Sequence, residues 1–293
     1  MNKNFIKGTL YSASGSLWWG ILGVLYFNYF SFIGAIELVI HRIIWTFVVL
    51  LITTTLYSKW NLFIEVFRNK KNIFFLFICA ILITSNWSIW IYALSTNRNI
   101  DASFGYFIFP IISIFFGYIF FQEKLNKRRI ISIILVISSI IYLLISFKTI
   151  PWIGLSVALV WSVYNLIRKK INIETDIGLL IESLFVFPFA ILAFYFLFLN
   201  NVNDFNFNNI TLIPLLMLAG PMTVIPLFLF IKGVKFANLG ITGMIFFITP
   251  TCQFLLGFFY YNEPFSFNKF VGFILIWIAV IIYLKDIYQT DND

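Results

Sequence analysis

Apolar residues run along this chain in long unbroken stretches, separated by short clusters of charged, amide and proline residues. Taken in order, the stretches predict ten helices, over 8–29, 34–58, 72–95, 102–122, 129–147, 151–168, 177–199, 210–231, 238–261 and 269–285. Each is close to the length of about 20 residues that an α-helix needs to cross a bilayer. The tightest break falls between the fifth and sixth, where Lys148 and Pro151 interrupt the pattern and divide the chain into 1–147 and 148–293. Outer-membrane barrels are excluded, because their strands alternate apolar and polar residues in segments of about ten.

Composition narrows the class further. Hydrophobic residues make up 61% of the 293 positions and charged residues only 11%, with a mean hydropathy of +0.95. A soluble domain carries about 25% charged residues, so this chain lacks the polar surface to cover a water-facing fold. Disorder is excluded as well, since 21% of the residues are aromatic. The expectation is an all-α polytopic membrane protein surrounded by lipid.

The net charge of +8 would suggest nucleic acid in a soluble protein. Here the basic residues sit in short clusters between apolar runs, where they set orientation instead. With the N-terminus in the cytoplasm, 16 of the 20 Lys and Arg fall on the cytoplasmic side. Only Arg98, Lys148 and Lys269 fall opposite, and Arg42 lies inside a span. The asymmetry supports ten spans in the cytoplasmic (inner) membrane with both termini inside the cell. Lys3 and Lys7 precede the first run, but no small-residue cleavage site ends it, so it is expected to remain as a span. Cys79 and Cys252 lie within apolar runs without metal-ligand spacing. No cofactor, metal or nucleic acid is expected, and the oligomeric state is left open.

Shifting the chain by 140 residues brings Phe107, Ile108 and Pro110 onto Phe247, Ile248 and Pro250, Gly117 onto Gly257, and Glu123 onto Glu263. A looser match sets Gly34 and Glu37 against Gly178 and Glu182. Each half then holds five helices. Because five is odd, the second copy must be inverted relative to the first. Inverted repeats let two related halves exchange conformations and open a central site to alternate sides. Together these features predict a secondary transporter for a small molecule. A channel is the principal rival, and a membrane enzyme lacks a zinc constellation, a nucleotide loop or a nucleophile–base pair.

Several segments resemble the RarD group of the EamA family, in the drug/metabolite transporter superfamily. They are His41-Arg42-Ile43-Ile44-Trp45, Asn86-Trp87 with Trp90, and Ala102-Ser103-Phe104-Gly105-Tyr106-Phe107-Ile108 with Pro110. The second half adds Tyr164 with Arg168-Lys169-Lys170, Gly178 with Glu182, and Pro250-Thr251. The resemblance spans nearly the whole chain and implies two inverted five-helix halves in an inner-membrane transporter. Phe109 stands where the family often has Asn, and Phe247-Ile248-Thr249 replaces a polar or aromatic pair. A more apolar pocket is therefore expected.

Candidate site residues follow from polarity inside the spans. Arg42 lies about eight residues into its helix, roughly 12 Å at 1.5 Å per residue. A cation at that depth should face the bundle interior or water, where it would bind an anionic or carbonyl group of the substrate or pair with a carboxylate; the alternative is snorkelling to the outer headgroups. His41 is the single histidine and, with Glu37 one turn away, could exchange protons in a proton-coupled cycle, the alternative being a hydrogen-bonded packing histidine. His41 and Arg42 point about 100° apart, so one of them should face a neighbouring helix. Trp18, Trp19, Trp87, Trp90, Tyr106, Trp161 and Tyr164 lie within spans and, with Asn86, would suit an amphipathic metabolite, although each equally suits helix packing. Pro110 and Pro250 are expected to kink equivalent helices and serve as hinges. Glu123 and Glu263 should cap or pair at the membrane faces, and Gly105, Gly117 and Gly257 should admit close helix approach.

Overall fold

The computed structural model describes residues 3–96, 99–147, 152–205, 210–262 and 267–290. Helix accounts for almost all of them. The first rod is α1 (Lys3–Trp18), a π-helical turn (Trp19–Gly23) and α2 (Val24–Tyr29). There follow α3 (Ala35–Leu56), the short α4 (Trp60–Phe67), α5 (Lys70–Ser95), α6 (Asn99–Phe121) and α7 (Lys127–Phe147). The second half holds α8 (Trp152–Lys170), α9 (Thr175–Leu199), α10 (Leu212–Met217), α11 (Ala219–Phe236), α12 (Leu239–Phe246), α13 (Ile248–Phe259) and α14 (Phe267–Thr290). Among the described residues, six helices are long and apolar enough to cross a membrane, and Gly105–Phe121 forms a shorter apolar helix.

Many large apolar side chains lie on the outside, including Phe74, Ile81, Ile134, Ile141, Phe189 and Phe196. In water such a surface would aggregate, whereas lipid tails solvate it at no cost. The amphipathic α4 was not anticipated from the hydropathy pattern. It packs Val66 with Leu76, Ile171, Ile173, Ile177 and Ile181 while leaving Asn61 and Glu65 exposed.

Proline chemistry sets the interruptions. A proline has no N–H to give the carbonyl four residues back, so a helix is weakest at that point. Pro221 withholds a bond from Met217, the last residue of α10, and Pro250 withholds one from Phe246, the last residue of α12. At Pro250 the regular hydrogen-bond ladder lapses at Phe247, which keeps helical φ and ψ (−58°, −15°) between α12 and α13, and Pro250 sits in the first turn of α13. Its counterpart Pro110 lies within an unbroken α6. The two prolines are thus not structurally equivalent.

The halves nevertheless share backbone details. Four described non-glycine residues have positive φ: Ser58 (51°), Gln122 (54°), Asn201 (52°) and Asn262 (52°). They close α3, α6, α9 and α13. Gln122 and Asn262 are separated by the same shift that aligns the sequence repeat. The end of α3 is sealed by Lys59 N–H donating to the Thr54 carbonyl at 2.9 Å, and α9 by Val202 N–H to Leu197 at 3.1 Å. Both are the six-to-one bonds of a left-handed helix stop.

Packing follows the same twofold logic. α3 lies on α9, α6 on α12 and α7 on α14, each pairing corresponding helices of the two halves. α1 lies along α11 as α8 lies along α5. Small residues set the closest crossings: a Cβ at Gly105 would meet the Gly154 carbonyl at 2.8 Å, and one at Gly243 would meet Ser113 at 2.9 Å. Gly117 plays a different part from the one expected. It leaves room for the returning Glu123 carboxylate instead of a second helix. Gly257 is buried in α13.

Candidate functional site

Where the π-helical turn, α2, α3, α5 and α6 meet α8, α12 and α13, the bundle forms a cavity with an open mouth. The first half lines it with Trp19, Gly23, Val24, Phe27, Arg42, Asn86, Trp87, Trp90 and Tyr106. The second half adds Trp161, Phe246, Thr249 and Gln253.

Arg42 is the polar centre of this wall. It is 6% exposed, and its Nε donates to Thr223 Oγ1 of α11 at 3.0 Å. Its guanidinium carbon stands 4.7 Å from the Phe27 ring centroid and 4.5 Å from that of Trp87. Ring quadrupoles stabilise a desolvated cation by about 2 kcal/mol or more, which lets a charge sit here without a carboxylate. None lies within 4.0 Å of it among the described residues.

Asn86 donates its Nδ2 to the Val157 carbonyl at 3.2 Å, leaving its oxygen for the cavity. The floor is aromatic. Trp19 meets Trp161 edge-on at 5.6 Å, and Tyr106 packs on Phe246 at 5.6 Å. Beneath them Phe109, 1% exposed, packs against Trp161, Phe230 and Phe246. Phe109 thus lies under the cavity and not in its wall. Of the divergent trio, Thr249 alone lines it, and its hydroxyl is spent on the Ser16 carbonyl at 3.0 Å.

The structure brings Arg42, Asn86, Trp87, Trp90, Tyr106 and Trp161 together around this space. His41, Glu37 and Tyr164 lie elsewhere. His41 points toward α9, packing on Phe194 and Phe205. Its Nδ1 accepts from Trp45 Nε1 at 3.2 Å, which leaves the proton on Nε2, 3.5 Å from Glu37 Oε1. Glu37 in turn accepts the backbone N–H groups of Asp204 and Phe205 at 2.8 and 2.9 Å. The trio braces the segment after α9. Tyr164 stacks under Trp161 at 5.3 Å and donates to Glu182 Oε2 at 2.9 Å. Glu182 is ion-paired with the fully buried Arg168 at 3.1 Å. Trp18 carries a buried indole N–H without a partner among the described residues.

Glu123 caps a helix, as expected, but across the molecule: it accepts from Leu239 N–H at 2.6 Å and Gly240 N–H at 3.0 Å at the start of α12. A carboxylate there offsets the positive end of the helix dipole. Glu263 lies outside the described residues. Sequence reasoning missed Phe27, Thr223, Phe246 and Gln253. Gln253 had a signal, being an amide within an apolar run. Phe27 and Phe246 had none, since one Phe in an apolar helix looks like another.

A helical bundle with an apolar exterior and a buried cavity headed by a cation defines a multi-pass membrane protein of the solute-handling kind. The EamA-like transporter family model matches residues 6–145 and again 148–285. The uncharacterized transporter YojE of Bacillus subtilis is 33% identical over 280 residues, covering 94% of this chain and 93% of that protein. RarD of Escherichia coli is 31% identical over 290 residues, covering 99% of this chain and 98% of that protein. A protein of known crystal structure, 14% identical, superposes with a TM-score of 0.70 over 94% of this chain and 96% of its own. The chain belongs to the EamA-like transporter family, as a RarD-like member. It is a membrane transporter of the drug/metabolite superfamily.

Proposed function

We propose that the protein is a secondary transporter that moves a small organic solute across the cytoplasmic membrane by alternating access. The observation that carries this reading is a cavity built jointly by both halves, headed by Arg42 and closed beneath by buried aromatic rings. Ten spans in two inverted five-helix halves, 1–147 and 148–293, complete the reading. The twofold packing, the matching left-handed helix stops and the charge asymmetry support it. Most of the lining from the first half lies near the connections at 30–34 and 96–99, away from the basic clusters at 59–71 and 124–129. On this reading the cavity faces outward and both termini are cytoplasmic.

Arg42, Asn86, Trp87, Trp90, Tyr106 and Trp161 are the proposed substrate contacts. His41, Glu37 and Tyr164 support the walls. The buried layer of Phe109, Phe230 and Phe246 favours a transporter over an open channel, which needs a continuous wet path. The test is uptake of a labelled metabolite panel into proteoliposomes, with and without a pH gradient. Arg42→Gln should abolish uptake with insertion near normal, and Arg42→Lys should restore only part, because an ammonium lacks the planar fork. Full uptake with Gln at this position would remove Arg42 from the pathway.

A further inference from the structure

We infer that the cavity takes an organic monoanion, a carboxylate on a flat apolar body, with the carboxylate held by Arg42. This rests on the transporter reading and names the substrate class of that same cavity. The guanidinium has its Nε committed to Thr223 and is flanked by Phe27 and Trp87. What remains is the edge carrying Nη1 and Nη2, for which no described residue supplies an acceptor. Two parallel N–H groups on one edge match the two oxygens of a carboxylate. A second donor belongs to another residue of the lining. Trp161 is 5% exposed and lines the cavity, and its buried indole N–H has no hydrogen-bond partner among the described residues. Buried donors without acceptors are costly, and a ligand oxygen would satisfy this one.

The rest of the wall fixes the body of the ligand. Trp19, Trp90, Tyr106 and Phe246 offer ring faces and edges, which favour a flat apolar group. Charge points the same way. A monoanion would neutralise the cation inside the membrane, whereas a cationic ligand would face Arg42 at close range in a low dielectric. Thr223 acts here as a positioning residue: by holding Nε it aims the terminal nitrogens at the cavity.

The test titrates purified full-length protein, following tryptophan fluorescence, with four probes that share one ring: phenylacetate, phenylacetamide, phenethylamine and phenylalanine. Phenylacetate should bind saturably, and the neutral amide about tenfold or more weaker, as loss of a charge-assisted pair implies; zwitterionic phenylalanine should also bind more weakly, because its ammonium must be desolvated beside the Arg42 cation. Phenethylamine should not bind. Arg42→Gln should bring phenylacetate down to the level of the amide. Trp161→Phe, which keeps the ring and removes the N–H, should weaken phenylacetate while leaving the amide-to-acid ratio in favour of the acid. Thr223→Val should weaken phenylacetate and Thr223→Ser should restore it, an outcome that lost packing alone would not give. Equal binding of the amide, the amine or phenylalanine would overturn the proposal, as would unchanged binding in Arg42→Gln. If no probe binds while proteoliposomes still take up another solute, the monoanion class fails and the transporter reading stands. If no probe binds and no solute is taken up, both fail.

Discussion

Gly178 lacks a side chain where the Arg168 guanidinium lies, since a Cβ there would collide with Nη1. Arg168 reads from the sequence as one more basic residue of a cytoplasmic cluster. In the fold it is fully buried, donating to the Thr175 carbonyl at 3.0 Å and pairing with Glu182, which also receives Tyr164. Removing one member of a buried ion pair costs about 3–5 kcal/mol, because the other is left charged and unpaired. Gly178→Ala and Glu182→Leu should therefore both lower the melting temperature of the detergent-solubilised protein sharply. Thermal unfolding of the two variants checks this, and an unchanged midpoint would show that the pair does not hold α8 to α9. At His41 the expectation is milder. Because it braces the segment after α9 through Glu37 and lies off the cavity, His41→Gln should leave the pH profile of transport unchanged while lowering thermal stability. A shifted profile would restore it as a proton carrier.

Among elements, the contrast lies between α6, continuous through Pro110, and α12–α13, whose hydrogen-bond ladder lapses at Phe247. A point where the ladder lapses is a better pivot than a proline inside an unbroken helix, because fewer backbone bonds resist rotation. Pro250→Ala should therefore slow turnover several-fold with little loss of ligand affinity, and Pro110→Ala should do less. Comparing the maximal rate with the half-saturation concentration for each variant decides it, and equal effects would return the prolines to matched hinges. The cap on α12 is the second element-scale device. Glu123 reaches from the end of α6 to two N–H groups in the other half. Loss of a helix cap costs about 0.5–2 kcal/mol, so on the alternating-access proposal Glu123→Ala should destabilise one access state and shift the balance between them. Cysteine accessibility at the cavity, measured in that variant and the parent, reads the shift directly.

At the scale of the molecule, the face carrying the basic clusters is tied across halves by Lys59, whose Nζ lies 2.7 Å from Glu174 and 2.6 Å from Asp176. The other face is tied by Glu37 to the segment after α9, and by Tyr26 donating to the Leu215 carbonyl at 3.0 Å. On the alternating-access proposal, exchange of sides breaks one set and keeps the other. The topology itself has a simple check. In a background lacking Cys79 and Cys252, Val202→Cys should react with an impermeant thiol reagent from outside, and Lys127→Cys only after permeabilisation. Labelling of both from one side would refute the arrangement of the halves.

Membrane class, helical fold and the sequence repeat were legible from the chain because each rests on averages over many residues: hydropathy, charge bias and an ordered trio of Pro, Gly and Glu. Arg42 was legible for another reason, as a lone cation in an apolar run is costly enough to need an explanation. The choice between His41 and Arg42 was not legible. Both lie on one helix turn, and only the packing of α3 between α9 and α11 sends the first toward Phe194 and the second toward Thr223 and the cavity. The same limit hid the Arg168–Glu182 pair and the unequal fates of Pro110 and Pro250. The chain by itself determined which residues are expensive to bury. Only the tertiary structure decided which partner meets each one, because side chains far apart in sequence are brought within bonding distance by helix packing alone.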